Sequence, residues 1–72
     1  MRPVIRVHAV RDITKQGTEP ISCTYNEKVS LIGVNHIVYT HDEKLWTVVA
    51  LVGDRIMYVK ETSDLIASNI GV

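Results

Sequence analysis

The chain contains one cysteine, two prolines, no phenylalanine and equal numbers of acidic and basic residues. Its single thiol, Cys23, has no second cysteine with which to form a disulfide in the same chain, and we expect it to be a small buried residue on a strand. No stretch approaches the roughly 18 apolar residues needed to span a bilayer, and the N-terminus lacks the apolar segment of a signal peptide. These absences predict a cytoplasmic protein with neither a disulfide framework nor a membrane segment.

Residues that commonly bind metals are few, and they lie on separate predicted elements: His8, Cys23, His36 and His41. They form no HxH, CxxC or HExxH spacing, so we predict no metal and no cofactor. Asp42 and Glu43 follow His41 and suggest a general base, but adjacent charged residues of this kind are typical of a solvated hairpin loop. No nucleophile elbow, phosphate-binding glycine loop or dinucleotide fingerprint is present. The sequence therefore predicts no enzyme.

The length of 72 residues allows a single small β-rich domain, residues 1–72, with a limited core. Chains of this size bury only about 60% of the surface that the unfolded chain exposes, which leaves them marginally stable. Since neither a disulfide nor a metal site is predicted, association with a second copy is the remaining means of stabilisation. We therefore expect a homo-oligomer.

Alternating apolar and polar residues predict several short strands separated by polar turns. The expected strands cover residues 4–10, 21–25, 29–32, 37–40, 45–52 and 55–60. Residues 11–20 are expected to form an exposed loop, because their second half is polar and contains glycine and proline. Asn26 to Lys28 predicts a turn, Gly33 to His36 predicts a bend or bulge, and Gly53-Asp54 predicts a type II′ turn.

Two segments depart from simple alternation. Leu45 to Val52 is a mostly apolar segment with several β-branched residues, which predicts a central strand or one that a partner covers. From Thr62 the period becomes helical, with a cap at Thr62 or Ser63, Asp64 in the first turn and a stop at Gly71. The predicted fold is α+β: a small, mainly antiparallel sheet of five to six short strands, open or closed into a barrel, with one short C-terminal helix.

Charge is unevenly distributed although its total is zero. Residues 1–15 contain four basic residues and one acidic residue, a net charge of +3, and the remaining residues carry a net charge of −3. The four basic residues are Arg2, Arg6, Arg11 and Lys15. They would contact phosphates if the protein bound nucleic acid, with Trp46 or a tyrosine stacking on bases. The neutral total argues against a dedicated nucleic-acid-binding protein.

The second half of the chain has an asparagine two residues before an isoleucine, then a hairpin that turns at a glycine, and then a Val-Lys-Glu-Thr sequence before a short helix. The residues concerned are Asn35, His36 and Ile37; residues 47–51; Gly53; Val59, Lys60, Glu61 and Thr62; and Ile66 and Ile70. This pattern resembles the FlbD family of small flagellar-operon proteins over just over half of the chain. The resemblance implies a cytoplasmic accessory protein that acts through protein contacts and has no catalytic residues. The Arg-rich first strand and the longer N-terminal half depart from that family.

The sequence thus predicts a non-enzymatic accessory or regulatory protein that binds itself and an unidentified protein partner, through a β edge or through the helix and its apolar face. The predicted interface residues are Trp46, Val48, Ala50, Leu65, Ile66 and Ile70. Two alternatives stay open. One is a small nucleic-acid-binding domain that uses the basic first strand, and the other is a phage or mobile-element accessory protein that modulates a host protein.

Overall fold

A computed structural model describes residues 3–71, which form one five-stranded sheet and two helices. The elements are β1 (Val4–Gln16), β2 (Glu19–Gly33), a 3₁₀ helix (Val34–His36), β3 (Ile37–Asp42), β4 (Thr47–Leu51), β5 (Arg55–Val59) and α1 (Ser63–Ile70). The strand order is β2-β1-β5-β4-β3, and every neighbouring pair is antiparallel. The predicted α+β class, with a mainly antiparallel sheet and one C-terminal helix, is confirmed. The sheet is not closed.

The sheet is strongly curled, because its two outer strands are joined by a very short link. In a flat sheet of five strands, β2 and β3 would lie about 19 Å apart. The 3₁₀ helix between them has three residues, which rise only about 6 Å. Hydrogen bonds from Val34 N–H to the Pro3 carbonyl and from Val52 N–H to the His36 carbonyl, both 2.9 Å, attach this link to β1 and to the end of β4.

The expectation of a loop over residues 11–20 is wrong, because β1 and β2 continue through this segment as a long hairpin. Only Gly17 and Thr18 separate the paired ends of the strands. Gly17 has a φ of +67° and Thr18 does not have a positive φ, which is the pattern of a type II′ turn. At the distal end of this hairpin the residues of β2, including Cys23, are exposed. The expected burial of Cys23 is also wrong, since β2 is an edge strand.

A bulge bends the long hairpin at Val10. The register between β1 and β2 shifts between Ala9 and Arg11, and three residues of β2, 25–27, lie in the interval that Val10 occupies alone on β1. The turn expected at Asn26 to Lys28 is therefore this bulge within a continuous strand. A bulge bends its strand and redirects the side chains beside it.

The β4–β5 connection also differs from the expected type II′ turn. Gly53 and Asp54 have φ values of +79° and +58°. A type II′ turn requires a positive φ only at its first central residue, whereas two positive values have the signs of a type I′ turn. Aspartate accepts this backbone region better than most residues. Strand β4 begins at Thr47 rather than at Leu45, which lies in the preceding loop.

The core lies on the inner face of the curled sheet and is almost entirely aliphatic. Its buried members are Ile5, Val7, Ala9, Ile32, Val49, Leu51, Met57, Val59 and Ile66. All five residues of β4 are buried, and β4 has a neighbouring strand on each side. The expectation that this apolar segment forms a central strand is confirmed.

Helix α1 has the termini that the sequence predicts. The Thr62 hydroxyl accepts a hydrogen bond from Leu65 N–H at 3.2 Å, and Asp64 lies in the first turn. Gly71 ends the helix with a φ of +86°, a left-handed conformation that glycine adopts without a steric penalty. Within residues 3–71, no helix has both the length and the apolar character needed to cross a bilayer.

Candidate binding face

The outer face of the sheet, opposite the core, carries a row of apolar side chains across four adjacent strands. The register pairs Ile13 of β1 with Ile56 of β5, Ile56 with Ala50 of β4, and Ala50 with Tyr39 of β3. Directly paired residues of antiparallel strands point to the same face. We call these four residues the apolar row. An outer face that meets water normally carries polar side chains, so this row is unusual.

A groove follows the apolar row because its central member is small. Ala50 is only 8% exposed, since it lies low between larger neighbours, whereas Tyr39 is 55% exposed and the adjacent Val38 is 61% exposed. The groove has a volume of about 470 Å³ and extends to Lys15 at its far end. The outer face therefore has both a protruding aromatic side chain and a depression beside it.

The next row on the same face is partly charged and partly aromatic. It contains Arg11, Tyr58, Val48 and His41, paired across the same four strands. The Arg11 guanidinium carbon lies 5.9 Å from the centre of the Tyr58 ring, which is within the range of a cation–π interaction. Arg11 Nε also donates to the Ser22 hydroxyl at 3.1 Å. These two contacts hold the guanidinium over the face of the sheet.

Three aromatic side chains from distant parts of the sequence line one groove at this second row. Trp46, from the β3–β4 loop, packs edge to face on Tyr58 with ring centres 6.4 Å apart. Tyr25 reaches the same place from the bulge of β2, and the Lys28 ammonium lies 5.0 Å from its ring centre. Together they form what we call the aromatic groove, of about 460 Å³. Its lining residues are Val10, Arg11, Thr24, Tyr25, Asn26, Trp46, Tyr58 and Lys60.

The structure separates the six predicted interface residues into two groups. Trp46, Val48 and Ala50 lie on the outer face, in or beside the two grooves. Ile66 is 2% exposed in the core and Ile70 packs against that core, so these two stabilise the chain's own fold. Leu65 is exposed on α1, near the N-terminal half of β1. The helix therefore has little apolar surface left to offer a partner.

The three predicted phosphate-binding residues that the structure describes do not form one patch. Arg2 lies outside the described residues. Arg6 lies near α1 on the first half of β1, whereas Lys15 lies at the far end of the apolar groove. Arg11 alone lies beside Trp46 and Tyr58. The sequence did not indicate that Lys60 joins Arg11 there, because the end of β5 reaches this place through its pairing with β1.

Glu61 is one of two buried polar residues among those that the structure describes, the other being Thr47, and no local sequence pattern indicates the contacts of its carboxylate. Its carboxylate accepts the His8 backbone N–H at 2.8 Å and the His8 Nδ1–H at 2.7 Å. Strand β5 ends at Val59, so Glu61 supplies the acceptor that a longer β5 would have supplied to β1. Burial raises the pKa of Glu61, but the hydrogen bonds from His8 outweigh it and hold the pKa below the ordinary value of 4.5.

Asp42 at the end of β3 fixes the start of α1. Its carboxylate accepts the Ser63 backbone N–H at 2.9 Å and the Thr47 hydroxyl at 2.8 Å. The bond from the Ser63 N–H, followed by that from the Thr47 hydroxyl, lowers the pKa of Asp42 below its ordinary value of 3.8. The Thr40 and Ser63 hydroxyls are 2.8 Å apart. Asp42, the acidic residue that follows His41, therefore uses its carboxylate for structural hydrogen bonds.

On the inner face, Arg55 and Asp12 form a two-point ion pair at the distal end of the core. Arg55 Nε and Nη2 donate to the two Asp12 carboxylate oxygens at 3.1 and 2.6 Å. The hydrogen bond to Asp12 raises the pKa of Arg55. Because its guanidinium is held on the inner face, Arg55 does not add charge to the aromatic groove.

His8, His36 and His41 lie on β1, on the 3₁₀ helix and on β3. Among residues 3–71, no three His, Cys, Asp or Glu side chains lie close enough together to hold a metal ion. Comparison with known proteins adds no functional assignment, since no family model, curated protein or solved structure matches the chain.

Proposed function

We propose that the protein is a non-enzymatic binding module that associates with a second copy of itself through the outer face of its sheet. The observation that carries this proposal is the apolar row, in which Ile13, Ile56, Ala50 and Tyr39 cross four strands on the face opposite the core. Helix α1 packs on the opposite face, where Ile66 belongs to the core. Apolar surface of this kind on one face of a sheet is typical of an interaction surface.

The shape of the face supports a second copy as the occupant. In a two-fold dimer, the same surface on both molecules must be complementary to itself. Here the exposed Tyr39 lies beside the depression above Ala50, so each copy offers a protrusion and a recess. Two sheets packed about 10 Å apart bring such side chains into contact.

The overall charge and size of the chain also favour self-association. Its formal net charge is zero at pH 7, so two copies do not repel each other as two strongly charged chains would. A chain of 72 residues has a small core, and covering the apolar row would remove further apolar surface from water at about 25 cal/mol per Å².

The test compares two substitutions of an apolar residue by lysine on different surfaces. Ile56→Lys places a charge in the middle of the apolar row and is expected to convert the dimer into a monomer. Leu65→Lys places the same charge on the exposed side of α1 and is expected to leave the dimer intact. Light scattering after size exclusion gives the mass, measured over about a hundredfold range of concentration because association follows mass action.

Two results would remove the proposal. One is a wild-type protein that stays monomeric at every concentration, and the other is a dimer that survives Ile56→Lys. Loss of the dimer with Leu65→Lys alone would assign the interface to the helix instead. Circular dichroism of each variant confirms that the monomer is folded. The FlbD relationship and the phage alternative stay predictions, and both are compatible with a protein that acts through protein contacts.

A further inference from the structure

We propose that the aromatic groove binds single-stranded nucleic acid, a function beyond the self-association proposed above. In this assignment Tyr58, Trp46 and Tyr25 stack on unpaired bases, while Arg11 and Lys28 contact phosphates. The proposal rests on how the fold brings these side chains together, on their exposure and on the local charge.

The groove concentrates most of the aromatic residues of the protein. The chain has one tryptophan, three tyrosines and no phenylalanine, and three of these four residues line the groove. The core does not use them, because its buried members are aliphatic or methionine. All three rings remain partly exposed, with Trp46 at 36%. Exposed aromatic rings on a sheet face are the platforms on which unpaired bases stack.

The bulge at Val10 contributes to the groove directly. Three residues of β2, 25–27, lie opposite Val10, and two of them, Tyr25 and Asn26, line the groove. A regular ladder would place successive side chains of β2 on alternating faces. The bulge instead allows two successive residues to contribute to one groove, and bulges often redirect side chains beside functional sites in this way.

The local charge is positive although the protein is neutral overall. Among the eight described residues that line the groove, Arg11 and Lys60 are basic and none is acidic. Lys28 adds a third cation beside Tyr25. The Glu27 carboxylate binds the Lys60 ammonium at 3.1 Å and so neutralises part of this positive charge. Two cations remain to attract phosphates.

The chemistry of the groove predicts the kind of nucleic acid. Ring faces accept any base, so we expect little sequence preference. A duplex keeps its bases stacked inside the helix and cannot offer their faces to Tyr58 or Trp46. The volume of about 460 Å³ falls in the range of sites that hold one small organic molecule, so one or two bases occupy each groove. We therefore expect single strands to bind and duplexes to bind weakly.

The binding test uses an oligothymidine of about ten nucleotides, a length typical of single-strand sites. Its binding is followed by quenching of the single tryptophan, Trp46, and by anisotropy of a labelled strand. The same measurements with a duplex of equal length, with thymidine monophosphate and with heparin separate base stacking from simple charge attraction. We expect binding of the oligothymidine at low salt, with at least tenfold weaker binding of the duplex and of the mononucleotide.

Variants assign the binding to this groove. Tyr58→Leu removes a stacking ring while keeping an apolar side chain, and it is expected to weaken binding about tenfold or more. Leu65→Ala is the control, because Leu65 is exposed on α1 outside both grooves of the outer face, and it should bind as the wild type does. Arg11→Gln alters an exposed side chain and should reduce the slope of log affinity against log salt by about one.

Several results would overturn the proposal: no binding of the oligothymidine at low salt, equal binding of duplex or heparin, or equal losses from Tyr58→Leu and Leu65→Ala. Mononucleotide binding as tight as that of the strand would also remove the single-strand assignment. Failure here leaves the self-association test unaffected, because that test measures the mass of the protein without added nucleic acid.

Discussion

Replacing Glu61 by alanine is expected to destabilise the fold by about 2–4 kcal/mol. Glu61 is 8% exposed, and its carboxylate accepts the His8 backbone N–H at 2.8 Å. A buried hydrogen bond to a charged group contributes about 1.5–3 kcal/mol, and its loss leaves the donor unsatisfied. The second bond, from the His8 ring, adds less because that ring is 40% exposed and water screens it. A chain of this length has a total stability of roughly 4–11 kcal/mol, so the loss is large.

Glu61→Gln separates the hydrogen bond from the charge. The glutamine keeps an acceptor for the His8 N–H, so the expected cost at neutral pH is about half that of alanine. The pKa of Glu61 is lowered below its ordinary value of 4.5 in the folded state. The wild type therefore has this contribution fully above about pH 4.5 and loses it as the pH falls through the lowered pKa. The difference in the free energy of unfolding between wild type and Glu61→Gln should be constant above that pH and should fall toward zero below it.

Urea denaturation followed by Trp46 fluorescence gives the free energy of unfolding at each pH. Glu43→Gln is the control, since Glu43 is an exposed loop residue whose carboxylate makes no hydrogen bond or ion pair within residues 3–71. An unchanged urea dependence would show that the variants unfold from the same compact state. The reasoning fails if Glu61→Ala is as stable as wild type, or if the Glu61→Gln difference does not close below pH 4.5.

Two further predictions concern the attachment of α1. Ile66→Ala removes a core side chain that is 2% exposed and should cost about 2–5 kcal/mol; wild-type stability in the same urea titration would contradict the packing of α1 on the core. Asp42→Asn weakens the bonds to Ser63 N–H and the Thr47 hydroxyl, so thermal denaturation should begin at lower temperature above pH 3.8, with the difference from wild type closing below that pH. A difference that is independent of pH would exclude the charge of Asp42 as its cause.

Local patterns in the sequence were sufficient for the elements whose faces differ in burial. Alternation predicted the first half of β1, and the cap at Thr62 and the stop at Gly71 predicted the ends of α1. The segment from residue 11 to residue 20 failed, because its polar composition is equally typical of a loop and of a hairpin that projects beyond the core. Gly17 carries the turn there with only Thr18 beside it, so the remaining polar residues belong to strands.

The candidate site was less accessible to sequence reasoning, because it depends on strand order. Val48 and Ala50 were predicted as interface residues from the apolar character of β4 alone. Ile13 and Ile56 join them only because β1 pairs with β5, a long-range arrangement that local periodicity does not contain. The aromatic groove likewise depends on the bulge that brings Tyr25 toward Tyr58. The acceptor role of Glu61 depends on where β5 ends, which is also a property of the assembled sheet.

The two proposed uses of the outer face are not independent of each other. Ile56 of the apolar row and Tyr58 of the aromatic groove are two residues apart on β5, which places them about 7 Å apart along the strand. A second sheet packed about 10 Å above the apolar row would extend over part of the aromatic groove. A single strand bound at Tyr58 would then favour the monomer, and dimerisation would weaken nucleic-acid binding by the same factor. The protein would in that case exchange one partner for the other on a single surface.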